Sequence, residues 1–154
     1  MRSFTLVFAT LAAFAATGVS AHGFMSKPFC RGCEKANIKV DDLKNPNVGD
    51  QICRGEPAGK VTDVGRQLTL GLTITAPHVG PCEVYILKPD LSNANIAKPV
   101  ASKQDCAAPG KVGPMTVNIP GKISGRRVLR WKWQACHVTP CEQYENCADI
   151  NVGG

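Results

Sequence analysis

Three histidines occur in the chain, at positions 22, 78 and 137, and the first follows a segment that reads as removable. Residues 1–21 carry Arg2, an apolar run over 4–16 and the small residues Ser20 and Ala21 at their end, the layout of a cleaved secretory signal. Cleavage after Ala21 makes His22 the first residue of the mature protein. A histidine in that place offers its α-amine and its imidazole Nδ1 to one metal ion and closes a chelate ring, and the low pKa of the α-amine lets a metal displace its proton near neutral pH. One more imidazole completes a T-shaped set of three nitrogens, which suits Cu(II) best among first-row divalent ions and also accommodates Cu(I). Taken alone, His22 is equally an accident of where a signal ends.

His78 is the better source of the third nitrogen. It stands in Thr75-Ala76-Pro77-His78-Val79-Gly80, directly after a clear strand pattern, where a turn can hold a side chain at the rim of a rigid sheet. The segment from Cys136 to Ile150 supplies further groups: Tyr144, whose phenol could sit over the metal in the axial place; Glu142 or Gln143, able to hydrogen-bond an oxygen species; and His137, able to donate or accept a proton. The plainer alternatives are a surface-loop histidine at 78 and at 137 and a core tyrosine at 144. Paired carboxylates placed for ordinary glycoside hydrolysis are not evident.

The elements that must position these groups read as β-structure. Leu68, Leu70, Leu72 and Ile74 alternate with polar or small residues over 67–75, the period of a half-buried strand. A second strand is expected over 83–87, close enough to pair with the first, and others over 115–119, 128–135 (Leu129, Trp131 and Trp133 on one face) and 148–152. Residues 22–66, rich in Gly, Pro, Asn, Asp and Cys, read as a long disulfide-pinned loop region, and residues 93–111 as an irregular connection. With five short strands and no stretch of amphipathic helix, the expected fold is all-β, an immunoglobulin-like or fibronectin-like β-sandwich with long disulfide-stapled loops.

Composition narrows the function classes. A chain of 154 residues holds one domain, here expected over 22–154. No segment is long and apolar enough to cross a bilayer as a helix once the signal is set aside, so a secreted, extracellular, monomeric protein without membrane partners is expected. Loss of Arg2 with the signal leaves a side-chain charge of +5 from the +6 of the whole chain. That favours anionic partners, and the absence of a dense basic run argues against nucleic acid. Eight cysteines, all after residue 21, suit a disulfide framework in an oxidising compartment, with 105 pairings open on sequence alone. A redox role for Cys30 and Cys33 lacks the usual βαβ context.

The start His22-Gly23-Phe24-Met25, the turn Thr75-Ala76-Pro77-His78, and the ending that runs from Arg130-Trp131-Lys132-Trp133 through Tyr144-Glu145-Asn146-Cys147-Ala148-Asp149-Ile150 together resemble a lytic polysaccharide monooxygenase. The close of the chain is similar to the animal-type auxiliary-activity family fifteen. The small size, the many cysteines and the basic charge look most like the oomycete pectin-active auxiliary-activity family seventeen. The resemblance implies a β-sandwich with one copper ion, Cu(II)/Cu(I), in a histidine brace: amine and Nδ1 from His22, Nε2 from His78, and Tyr144 in the axial place. Glu142 and His137 follow as secondary expectations. It also implies O2 or H2O2 as co-substrate, an external reductant, and oxidative cleavage at C1 or C4 of a sugar chain. By analogy Cys53 is expected to bridge Cys147, with Cys136–Cys141 as a local loop and Cys82–Cys106 and Cys30–Cys33 as the remaining pairs.

Only six aromatic residues follow the signal, Phe24, Phe29, Tyr85, Trp131, Trp133 and Tyr144, which leaves few rings to stack on a flat crystalline glycan. The expected partner is therefore an anionic plant cell-wall polysaccharide, homogalacturonan, in preference to cellulose or chitin. Two other classes remain: a non-catalytic secreted copper-binding protein that uses the same histidine brace, and a disulfide-stapled binding protein that uses no metal.

Overall fold

The computed structural model describes residues 22–33 and 51–153, with His22 described through its backbone only. The expected signal at 1–21 and the middle of the expected loop region, 34–50, lie outside the described residues. Eight strands form the described part: β1 (His22–Lys27), β2 (Val61–Val64), β3 (Gln67–Ala76), β4 (Cys82–Leu87), β5 (Ala101–Lys103), β6 (Met115–Asn118), β7 (Gly125–Ala135) and β8 (Glu142–Val152). They make two sheets, one of order β1-β3-β6 and one of order β2-β8-β7-β4-β5. Neighbours are antiparallel except β2 and β8, which run parallel. This is the expected β-sandwich.

The core lies between the sheets and follows from strand alternation. Leu129, Trp131, Trp133 and Ala135 of β7 and Tyr144, Ala148, Ile150 and Val152 of β8 face inward, where they meet Met25, Leu70, Met115 and Val117 of the smaller sheet. The other face of the larger sheet is also covered at its middle. Val128, Leu87 and Cys147 pack there against Cys53, Ala94 and Leu91, contributed by a short 3-10 turn at Ile52–Gly55 and the irregular segment after β4. Double coverage explains why β7 and β8 have consecutive buried residues, where a strand with one wet face would alternate.

Three expectations need correction, the first being that the irregular connection expected over 93–111 contains β5, paired with β4. The region 22–66 is not all loop, because β1 and β2 lie within it. Their sequences, HGFMSK and VTDV, are too short and mixed to show a convincing period, and tertiary pairing with β3 and β8 supplies what local pattern lacks. The strands at 67–75 and 83–87 do not pair with each other either. β3 pairs with β1 and β6, whereas β4 pairs with β5 and β7. Pro77 and Pro81 cannot donate to a ladder, and the segment they bracket carries the chain from one sheet to the other.

All four disulfides, Cys30–Cys33, Cys53–Cys147, Cys82–Cys106 and Cys136–Cys141, are the expected pairs. Buried ionic contacts add to them on the outer face of β8. Arg31 donates from Nε to Asp149 Oδ2 at 2.8 Å and from Nη2 to Oδ1 at 2.7 Å, and Gly59 N–H donates to Oδ2 at 2.7 Å. Arg130 Nη2 donates to Glu145 Oε2 at 2.7 Å, while Glu145 Oε1 accepts from Cys53 N–H at 2.5 Å. These contacts fasten the segments around Arg31 and Cys53 to the last strand.

Burial alone would push the Asp149 carboxyl up. The Arg31 hydrogen bond, the Gly59 N–H and the cationic charges of Arg31 and Arg126 nevertheless hold it below the usual aspartate value. A carboxylate whose folded pKa is depressed contributes its full stability above the unfolded value, about 3.9, and loses it as the pH falls through the folded one. The denaturant midpoint should therefore fall on acidification below about pH 4. Asp149→Asn, which leaves Arg31 buried without its counter-charge, should cost about 3–5 kcal/mol at pH 7 and flatten that decline. Equilibrium urea unfolding across pH checks both.

Candidate metal centre

The register of the smaller sheet decides where the chain's first described residue lies. His22 is the partner of Ala76 across the β1–β3 ladder, so its backbone stands beside the end of β3, two residues before His78. Gly23 allows this approach: a Cβ on it would run into the Ile74 side chain and press on the Trp133 ring. Farther along β1, Met25 N–H donates to Asn146 Oδ1 at 2.7 Å, which lays β1 against β8.

His78 sits on the crossover between the sheets, and two backbone bonds tie that crossover to the end of β7: Gln134 N–H to Pro81 O at 3.1 Å and Cys136 N–H to Val79 O at 2.9 Å. Gly80 adopts φ 129°, and any side chain there would collide with the Gln134 carbonyl. Its N–H donates to Asp105 Oδ1 at 3.0 Å. Glycine is required at this place for both reasons.

The structure brings four of the five expected site residues into one connected set. The rings of His78 and His137 stack, with centroids 3.9 Å apart and planes inclined by 17°. His137 rides on the small loop closed by Cys136–Cys141, and its Nε2 lies 3.8 Å from Glu142 Oε2. The same carboxylate oxygen accepts from the Tyr144 hydroxyl at 3.1 Å. Tyr144 belongs to β8, not to a loop before it; its ring is buried and lies 5.0 Å from that of Trp133. The fifth residue, His22, reaches the same end of the sandwich through its backbone register. Val79 and Val138 are exposed beside the two histidines.

A histidine brace fits this arrangement. The backbone of residue 22 and the crossover that carries His78 lie at one rim, and an amine and an imidazole there would both offer nitrogen, the donor type copper favours. A different trio, Cys53, Glu145 and Cys147, also lies within ligand distance. It fails as a centre because the two sulfurs are joined to each other and the carboxylate is taken by Arg130 and Cys53 N–H. What sequence reasoning did not anticipate is the direct stacking of His137 on His78, and with it the anchoring roles of Asp105 and Gly80. The Cys136/Cys141 spacing around His137 was the one available signal.

The family model described as "Lytic polysaccharide mono-oxygenase, cellulose-degrading" matches residues 50–150, well over half of the chain. The chain belongs to the lytic polysaccharide monooxygenases. Solved structures agree on the fold. The catalytic domain of such an enzyme from Listeria monocytogenes is similar with a TM-score of 0.65 at 19% identity, covering 86% of this chain and 100% of that one. An AA10 enzyme from Streptomyces lividans gives 0.66 at 17% identity, with 84% and 99% covered. A CBM33 protein of Bacillus amyloliquefaciens, solved in complex with Cu(I), gives 0.63 at 13%, with 86% and 100% covered. A search of curated protein sequences returned no significant match.

The Tyr144–Glu142 contact can be tested without touching the histidines of this monooxygenase. Tyr144→Phe removes one donor to a carboxylate and should destabilise the protein by about 1–2 kcal/mol, read as a lowered melting temperature. If the phenol also stands over the metal, the electron spin resonance spectrum of the Cu(II)-loaded variant changes as well.

Proposed function

We propose that this chain is a secreted, copper-dependent lytic polysaccharide monooxygenase, close in character to the oomycete pectin-active enzymes, that attacks an anionic plant cell-wall polysaccharide, homogalacturonan. Secretion rests on the signal pattern in residues 1–21, and removal of that segment exposes the α-amine at His22. The observation that supports the copper reading is the His22–Ala76 register, which puts the backbone of residue 22 opposite the end of β3, two residues before His78.

In this reading His22 holds the ion through its amine and Nδ1, and His78 through Nε2. Copper supplies the redox chemistry, which with a reductant and O2 or H2O2 as co-substrate breaks a C–H bond at C1 or C4 of the sugar. The protein's part is to present that ion on a rigid face. Stacked against His78, the His137 ring limits rotation of its neighbour. Glu142 joins the two sides of the site, accepting from the Tyr144 hydroxyl through Oε2 and facing His137 Nε2 from 3.8 Å. Such supporting contacts fix ligand orientation and proton positions. Tyr144, tied to Glu142 and packed on Trp133, would border the ion's site with its position fixed by those two contacts.

Support for the substrate comes from what the rim offers. Trp131, Trp133 and Tyr144 are buried, so these three rings cannot lie flat on a crystalline chain, although the family model's description speaks of cellulose. The residues flanking the histidines are Val79 and Val138, small apolar side chains without an aromatic plane. A basic protein with such a face draws its substrate by charge.

Two outcomes are expected. In correctly processed material, His78→Ala should lower Cu(II) affinity by more than about 100-fold, beyond the 10- to 100-fold typical of residues that only support a ligand, and should abolish release of oxidised oligogalacturonides. Copper titration, spin resonance and product mass spectrometry read this. Binding of the intact protein to polygalacturonate should weaken steeply as ionic strength rises from about 0.01 to 0.15 M, where the screening length falls from about 30 to 8 Å. Binding unchanged by salt would count against an anionic substrate.

A further inference from the structure

Phe29 is set apart from the other described aromatic residues. Its ring is 52% exposed, whereas Trp131, Trp133 and Tyr144 are buried and Phe24 packs against the core. It lies just past the end of β1, at the far end of that strand from His22. A rise of about 3.3 Å per residue puts the last residue of β1, Lys27, about 16 Å from His22, and Phe29 lies beyond it. An exposed ring at this place has no part in the metal centre.

Two cavities meet at Phe29. One, of about 340 Å³, is bounded by Cys30, Arg31, Gly59, Lys60 and Asp149; the other, of about 480 Å³, by Ser26, Lys27, Val64, Leu68 and Thr69. Phe29 and Thr62 line both, so the two form one trough with the ring in its middle. The charges in it are unequal in reach. Arg31 and Asp149 close on each other in a buried, bidentate pair, and Asp63 is held by Asn151 Nδ2 at 2.8 Å. Lys27 and Lys60 are exposed, one in each arm. The trough therefore combines an apolar plane, the hydroxyls of Ser26, Thr62 and Thr69, a cation in each arm and, in the arm of Lys27, the Asp63 carboxylate with one oxygen turned to Asn151.

We infer that the Phe29 trough is a glycan-holding site, separate from the metal centre, for acidic sugar units. The C–H face of a pyranose lies on the Phe29 ring, its hydroxyls meet the threonines, and the carboxylates of neighbouring uronate units meet Lys27 and Lys60. A neutral apolar ligand would leave both ammonium groups unused, and a simple anion would leave the ring unused. An acidic oligosaccharide uses all three features. This site keeps a soluble or swollen chain attached while the metal face, which lacks the buried rings, works on it. The inference shares the substrate class of the proposed function but does not need copper.

The test is binding of tri- and hexagalacturonate to the full chain without copper, followed by isotope-edited amide spectra and calorimetry, with cellohexaose as the neutral comparison. Expected are shifts at Phe29, Lys60 and Thr62, and weaker binding of cellohexaose. Phe29→Ala should raise the galacturonate Kd about tenfold, the loss of one aromatic contact. Lys60→Glu should raise it at low salt, with a difference that shrinks at high salt. Since Phe29 and Lys60 are exposed, both variants should keep the melting temperature, and His78→Ala should bind the oligosaccharide as the parent does. Unchanged affinity in Phe29→Ala, or shifts confined to the neighbourhood of His78, overturns the trough. Trough binding with no copper uptake at His22 and His78 would instead overturn the metal reading alone.

Discussion

The alignment of β1 on β3 is the constraint on which the proposed chelate would depend. β1 is only six residues long, yet its register decides whether residue 22 lies opposite Ala76, two residues before His78, or one pleat away. Slippage by one residue would turn every β1 side chain to the opposite face. Several contacts oppose such slippage: Met25 buried in the core, its N–H on Asn146, and Gly23 fitted against Ile74 and Trp133, where a larger residue would have to displace the Ile74 side chain. The irregularities in the β1–β3 ladder on either side of residues 23–25 leave that middle stretch as the part that sets the alignment.

The crossover is the second half of the same constraint. In a simple hairpin between β3 and β4, His78 would project from a mobile tip. Because the chain instead passes between sheets, residues 77–81 are held from both sides, by Asp105 at Gly80 and by the end of β7 at Val79 and Pro81. The Cys136–Cys141 loop then folds back and lays His137 on His78. A side chain held this way loses little further freedom when it takes a ligand, which is the physical content of preorganisation.

Much of this was legible in the sequence, for identifiable reasons. Leu68 to Ile74 and Leu129 to Trp133 showed their period because each lies on a long strand with a consistent inward face. β1, β2 and β5 did not, since HGFMSK, VTDV and ASK lack the apolar alternation that marked the equally short β4 and β6, and they form only by pairing with β3, β8 and β4. Proximity in sequence suggested that the third and fourth strands pair, and two prolines in the connection were the clue that they do not. At the site, the residue types were readable and the contacts were not. Nothing in the spacing of His78 and His137 states that their rings touch, because that contact requires the sandwich, the crossover and a local disulfide at once.

The outer face of the larger sheet explains how so small a sandwich can hold a site at its rim without yielding there. A sheet of this kind usually leaves one face to water, and its ends then fray with the loops. Here Cys53–Cys147, the Cys53 N–H on Glu145 and Arg31–Asp149 fasten the early chain across β8 from its middle toward its end, while Arg130 of β7 pairs with the same Glu145, so β8 is clamped between two layers along the same stretch on which Tyr144 and Asn146 face inward. The ion pairs are costly to bury and do not add stability beyond what apolar packing of equal volume would. Their value is directional: a bidentate Arg–carboxylate contact accepts one geometry, whereas an apolar patch accepts several. A strand fixed in register on its outer face carries that register to Asn146, from there through the Met25 N–H to β1, and so toward the rim where the proposed brace would form.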